Sequence, residues 1–287
     1  MRKTTISTRW STYGGAGRRT RFTWGDGFFL TYDYDPTGAM THVRENGSGL
    51  LASYTYDDLG RRSSLIRGNG VRTGYSYSGP RLYGLNLDLA GTANDQNVEF
   101  HHNPAGQIVA RIAQNDVYTW SGHYNVDRDY TSNAKNQYTQ IGALTPVYDS
   151  KGNLAQAGGP AYAYSTKNEL VISSGGVQLY YDPLGRFDTL MNGSAVPTGG
   201  FQYDGVQIAN EIGPNAPFPI TRRYVYGRNP DEVLVWYEGP GITDKRFPVA
   251  DERGSVVALS DASGNALAIN RYDEYGIPGA GNIGRFQ

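Results

Sequence analysis

The sequence predicts an all-β fold, a repetitive antiparallel β-meander, and three observations predict it. A Tyr-Asp-x-x-Gly frame recurs along most of the 287 residues. In its central copy Asp182 opens a type I turn, Pro183 presets φ, and Gly185 tolerates the left-handed conformation that closes such a turn. Composition agrees, because 23 Tyr and 38 Gly against 18% charged residues favour strands and turns over helices. No segment sustains a 3.6-residue apolar period with caps over ten residues, whereas period-2 runs alternate with turn signals throughout. The reading is weakest over 85–97, where Leu85, Leu87 and Leu89 alternate before the polar run Asn94-Asp95-Gln96-Asn97.

Taken in order, residues 1–29 form a basic N-terminal strand or edge segment. Arg2, Lys3, Arg9, Arg18, Arg19 and Arg21 meet no acid within the first 21 residues. Such a run suits a solvated edge better than a phosphate-binding arm, since aromatic interleaving is thin. With a net charge of −1, no global field draws nucleic acid or an anionic membrane, and no nucleic-acid partner is expected. The start Met1-Arg2-Lys3 leads into no apolar h-region and no run of 18 apolar residues occurs, so neither an export signal nor a membrane span is expected.

Residues 30–246 carry the repeat sheet. Its full copies are Tyr34-Asp35-x-x-Gly38, Tyr56-Asp57-x-x-Gly60, His102-Asn103-x-x-Gly106, Tyr148-Asp149-x-x-Gly152 and Tyr181-Asp182-x-x-Gly185; Tyr272-Asp273-x-x-Gly276 follows beyond them. Degenerate copies stand at Tyr77-Ser78-Gly79, Tyr164 to Asn168, Tyr203-Asp204-Gly205, Tyr226-Gly227 and Asp251 to Gly254. Two gaps, 102–148 and 226–272, are each as long as two units. Asn-Gly pairs at Asn46-Gly47, Asn69-Gly70 and Asn192-Gly193 sit near the unit midpoints and read as type I′ hairpins. Each unit is then two antiparallel strands with a turn at either end, and neighbour stacks on neighbour. Tyr pairs two apart, Tyr32/Tyr34, Tyr54/Tyr56, Tyr75/Tyr77 and Tyr162/Tyr164, place an aromatic stripe on one sheet face.

Little in the chain suits chemistry. Cys is absent, which excludes disulfides, thiol catalysis and thiolate metal sites. No Gly-x-Ser-x-Gly elbow occurs. The four His are scattered, and His102 stands where the frame has Tyr, so no metal or cofactor site is expected. Asp33 to Gly38 begins like a calcium loop, but Arg44 occupies the twelfth position, where such a loop needs Glu. The acidic pairs Asp231-Glu232 and Asp251-Glu252 are the candidates for paired carboxylates, and turn chemistry accounts for Asp251. Asn46-Gly47-Ser48 and Asn192-Gly193-Ser194 match the glycosylation sequon, yet hairpin turns explain them better.

The recurring Tyr-x-Tyr-Asp-x-x-Gly-Arg frame resembles the YD repeat of RHS-repeat proteins, the shells of bacterial polymorphic toxins, ABC toxin C components and animal teneurins. Residues 247–287, with Asp251-Glu252-Arg253-Gly254 and Arg271-Tyr272-Asp273-Glu274-Tyr275-Gly276, resemble the start of the RHS-associated core. The resemblance implies a curved or spiralling β-wall, part of a cocoon-like shell that encloses an inactive toxin, with secretion or cell-surface delivery. The chain stops at Gly284-Arg285-Phe286-Gln287, before the self-cleaving aspartyl segment of the toxin-type members, so no catalytic residue carries over. The expectation is a non-enzymatic shell segment whose partners are a polypeptide cargo, further shell segments, or a second copy at an open sheet edge. The alternative is a carbohydrate-binding surface built on exposed Tyr and Trp rows, and exposure of Tyr54, Tyr56, Tyr75 and Tyr77 decides between them.

Overall fold

A computed structural model describes residues 9–123, 127–159, 161–193, 197–214, 219–229 and 231–283. The basic residues Arg2 and Lys3, Ser194 of the second sequon and the terminal Gly284-Arg285-Phe286-Gln287 lie outside these. Two compact units make up the chain: one is Met1–Gly122 with Tyr224–Gln287, the other His123–Arg223.

The first unit contains a ten-stranded antiparallel sheet in strict sequence order, from Trp10–Tyr13 at one edge to Ile108–Ala113 at the other. Period-2 alternation sets its faces. In Arg81–Asp88, Leu85 and Leu87 are buried while Asn86 between them points away, so the stretch 85–97 is strand, turn and strand. Four further strands, Val233–Glu238, Lys245–Ala250, Val256–Ser260 and Ala266–Ile269, pair in order within the same unit. Val71, Leu85, Leu87, Leu89, Val98 and Phe100 of the first sheet close one core with Val249, Val257 and Ala258 of these strands. Val256–Ser260 is buried along its whole length, which explains its unbroken apolar run.

This core is where the nearest-neighbour stacking expected of a repeat wall is incomplete. Strands far apart in sequence meet face to face, and polar groups pin them. Arg67 is buried and donates from Nε to the Pro248 carbonyl at 2.8 Å. The Asn69 amide donates to Ser260 Oγ and to the Asp261 carbonyl. Arg62 grips Glu232 with both guanidinium ends, and Glu45 accepts from the Tyr237 hydroxyl at 2.6 Å and from Lys245.

The second unit holds two short hairpins, Tyr130–Ser132 with Tyr138–Ile141 and Val147–Tyr148 with Leu154–Gln156. A ladder in sequence order follows, from Ala163–Tyr164 to Gln207–Ile212, with Arg223 pairing Asn210 beyond it. Its described residues bury few side chains, Ala209 and Ile212 among them, while Tyr130, Tyr138, Ile172 and Tyr180 stay exposed. Among the described residues helix is confined to two 3-10 turns, Asp116–Tyr118 and Ser174–Gly176. The all-β meander expected from the sequence is the observed architecture.

Candidate functional site: the turn ladder

The frame residues build one hairpin geometry many times. The Asp57 amide donates to the Arg61 carbonyl and the Gly60 amide to the Asp57 carbonyl, both at 2.9 Å, and Gly60 has φ of 73°. This is a type I turn closed by a left-handed residue that forms a bulge, and the ladder slips by one residue at Tyr56. Asp35 with Gly38, Asn103 with Gly106, Asp149 with Gly152, Asp182 with Gly185, Asp251 with Gly254 and Asp273 with Gly276 repeat both backbone bonds. The first side chain completes each turn: Asp57 Oδ1 accepts from the amides of Leu59 and Arg61, and Asp273 Oδ1 from those of Tyr275 and Ile277. The side-chain bond from Arg61 is the main reason that the Asp57 carboxyl titrates below its ordinary range, and Thr37 does the same for Asp35.

The Tyr that precedes each turn has a distinct task. The hydroxyls of Tyr34, Tyr56, Tyr77, Tyr164, Tyr181, Tyr203 and Tyr272 donate to the carbonyls of Arg19, Met40, Arg62, Leu154, Leu170, Phe187 and Val256, at 2.6–3.1 Å. In every case the acceptor is the fifth residue after the start of the preceding turn at the same end of the sheet. The Arg of the frame reaches the other way. Arg61 binds Asp57 of its own turn, donates to the Gly79 carbonyl of the next, and lies 4.2 Å from the centre of the Tyr77 ring. Arg186 repeats this with Asp182, Gly205 and Tyr203, at 4.7 Å from the ring centre. The turns at Asp57 and Asp182 are therefore stitched backwards by Tyr and forwards by Arg. His102 and Tyr148 are half-buried in their copies.

Several turns escaped the sequence frame. Asn133 with Asn136 fills the gap at 102–148, with Asn in the left-handed position at φ 59°. Gly14 with Gly17, Trp24 with Gly27 and Arg67 with Gly70 make the same two bonds without the Tyr-Asp pair, and Asp261 with Gly264, whose spacing the sequence does show as a turn frame, makes them too. For the turns closed by Gly, a Gly three residues after the first turn residue was the available signal. Of the three Asn-Gly hairpins expected, only Asn46-Gly47 has positive φ at both residues. At Asn69-Gly70 the bulged turn starts at Arg67, which frees Asn69 to bind the facing strand. At Asn192-Gly193 the Gly has no positive φ, and the strands end further apart, at Met191 and Pro197.

The Tyr rows are packing, not platform. Tyr54 is buried and Tyr56, Tyr75 and Tyr77 are half-buried, which weighs against the carbohydrate surface built on them. Two of the four Trp, Trp24 and Trp236, are buried as well. The N-terminal arginines also lie on rings: Arg18 on Tyr34, Arg19 on Phe22 and, at 3.5 Å, Arg21 on Phe29.

Of the acidic pairs, Glu232, Asp251 and Glu252 are held in structural contacts, while Asp231 is exposed. Glu232 faces Arg62, and Glu252 accepts from Arg111 Nε at 2.9 Å beside a cleft of about 310 Å³ in the first unit. Asp251 lines that cleft too, with Oδ1 taken by the amides of Arg253 and Ser255. Burial, helped by the charge of Glu252, raises its carboxyl above the usual range. Among the described residues no three His, Asp or Glu side chains gather as metal ligands would.

No family model matches the chain. It is 26% identical over 293 aligned positions to the tRNA3(Ser)-specific nuclease WapA of Bacillus spizizenii, covering 86% of this chain and 12% of that protein. The tRNA nuclease WapA of Bacillus subtilis strain 168 is 25% identical over the same shares. The chain thus spans about an eighth of the curated relatives it matches. Among solved structures, TcdB2-TccC3 superposes with a TM-score of 0.59 at 14% identity, covering 95% of this chain and 18% of that one. The Photorhabdus luminescens Tc holotoxin pore superposes with a TM-score of 0.53 at 15% identity, again over 95% and 18%. The fold is that of these RHS/YD-repeat shell proteins.

Proposed function

We propose that this chain, having the RHS/YD-repeat fold, is a stretch of shell wall that encloses or presents another polypeptide. The observation that carries the reading is the reciprocal stitch. Tyr, Asp and Arg of the frame are engaged with their own and neighbouring turns, so the repeat's recurring chemistry serves continuity of the sheet. The superposition on toxin shell proteins over 95% of the chain supports the same reading. The nuclease activity in the names of the WapA relatives belongs to far longer proteins. We assign this stretch to shell and place any such activity elsewhere, with a polypeptide cargo or further shell segments as its partners and delivery outside the cell as its setting.

The test is limited proteolysis of the gene product expressed with its natural flanking sequence. An enclosed polypeptide is expected to resist digestion in the intact protein and to be degraded once the shell is opened with denaturant. Equal digestion in both conditions would refute enclosure.

A further inference from the structure

Arg67 is a buried charge that forms no ion pair with any described residue. It is 4% exposed and donates from Nε to the Pro248 carbonyl and from Nη1 to Thr73 Oγ1 at 3.0 Å, both neutral acceptors. A guanidinium has five N–H donors, and among the described residues Arg67 Nη2 makes no hydrogen bond. Ala52 pairs with Arg67 across the ladder and Leu65 with Tyr54, so Tyr54 is a diagonal neighbour of Arg67, about 7–8 Å away at Cα and within reach of a long side chain. Tyr54 is 4% exposed as well, and its buried hydroxyl has no hydrogen-bond partner. Glu232 acts electrostatically on both groups, but Arg62 holds both of its oxygens and Oε2 also accepts from the Arg228 amide at 3.1 Å. Arg62, Arg67 and Glu232 together therefore leave one positive charge over. The two arginines show the difference. Burial lowers the pKa of Arg67 from its ordinary value, whereas at Arg62 burial acts in the same direction and is outweighed by the bond and charge of Glu232, which raise it.

From this cluster we infer a binding site for a small monovalent anion of the halide class, held by the Arg67 guanidinium and the Tyr54 hydroxyl. Both groups can donate, so one acceptor between them satisfies both. Water would supply the hydrogen bonds but leave the charge, and a buried charge without compensation is costly. A dianion such as phosphate or sulfate would replace one surplus positive charge by a surplus negative one. The carboxylate of a polypeptide would have to bring its backbone into a face where Ala52, Leu65 and Thr73 are each at most 2% exposed. Bound there, the anion ties Arg67, and through it the Pro248 carbonyl of Lys245–Ala250, to Tyr54 of Gly49–Tyr56. The inference goes beyond the shell reading and stands independently of it, because it concerns how the first unit coheres and not what the wall surrounds.

The test has a solution arm and a crystal arm, both on the whole chain. Thermal unfolding is followed as sodium chloride or sodium bromide rises at constant ionic strength, with sodium gluconate, whose anion is too large to enter, making up the balance. A saturable rise in Tm is expected. Arg67→Met should abolish the rise and Tyr54→Phe should weaken the apparent affinity about tenfold, whereas Arg246→Met, at a partly exposed arginine paired with Asp244, should leave both as they are. In crystals grown in bromide an anomalous scattering peak is expected against Arg67 and Tyr54, and this holds as a test even if Arg67→Met fails to fold. The inference is overturned if Tm shows no saturable chloride or bromide dependence, if Arg67→Met or Tyr54→Phe keeps that dependence unchanged, or if the bromide peak lies elsewhere. Density between Arg67 and Tyr54 without an anomalous signal would mean water and overturn it too. A bromide peak there without the saturable rise would mark an adventitious ion only, and would likewise refute it.

Discussion

Asp57 and Asp251 hold the same place in the same turn, yet their surroundings push their carboxyls in opposite directions. For Asp57 the Arg61 bond lowers the folded value beneath the unfolded reference of about 3.9, so its contribution is present above that value and is lost as pH falls through the folded one. For Asp251 burial, then Glu252, raises the folded value, so the proton is held more tightly in the folded chain. Its contribution is present below the unfolded value and lost as pH rises through the folded one. Asp57→Asn is therefore expected to lower Tm at neutral pH and flatten the acid limb of a calorimetric Tm–pH curve. Asp251→Asn should leave Tm at neutral pH unchanged or raised, and parallel losses for both variants would contradict the assignment. The stitching hydroxyls act at the other end of the scale. Burial raises Tyr56 above its ordinary value, so stability falls as pH climbs past about 10, where the unfolded chain ionises first. Tyr56→Phe should cost about 0.5–1.5 kcal/mol at neutral pH through the lost 2.7 Å bond to the Met40 carbonyl, measured by urea unfolding.

At the scale of the hairpin, Gly185 isolates backbone strain from crowding. Its φ is 77°, and a Cβ there would meet nothing closer than Glu169 Oε1 at 3.8 Å. Gly185→Val should cost about 1–3 kcal/mol from the left-handed conformation alone. Gly193→Val, in open space without a positive φ, should cost much less, and equal denaturation midpoints for the two would remove the turn assignment. What was legible in the sequence follows from the same physics. A turn whose first side chain caps its own amides and whose fourth residue has positive φ leaves a local mark, so the hairpins at Asp35, Asp57, Asp149 and Asp182 could be read directly. The turn at Asn133 was harder because Asn136 tolerates positive φ without being Gly. The direction of the Tyr and Arg contacts between turns left no local mark at all, since each partner sits in another hairpin 10 to 19 residues away.

For the molecule as a whole, the contacts between sheets of the first unit were the least visible in sequence, and they make the sharpest stability prediction. Arg62 and Glu232 are each only 15% exposed and lie 170 residues apart. Removing one partner strands the other charge in a poorly hydrated site, so Arg62→Ala is expected to cost about 3–5 kcal/mol by urea unfolding. A loss no larger than that of an exposed pair would show that water reaches Glu232. The unit His123–Arg223 buries far fewer side chains. Its strand amides should exchange with solvent faster than those of Gly49–Tyr56 or Val256–Ser260, and uniform protection in hydrogen-exchange mass spectrometry would contradict that. The backward Tyr and forward Arg also bear on how such a chain lengthens over generations. A hairpin that receives one stitch and gives one is interchangeable with its copy, so a tandem duplication inserts a ready-made course with both stitches filled. An insertion of half a hairpin breaks the chain of partners on both sides, and heritable changes in wall length should therefore come in whole hairpins.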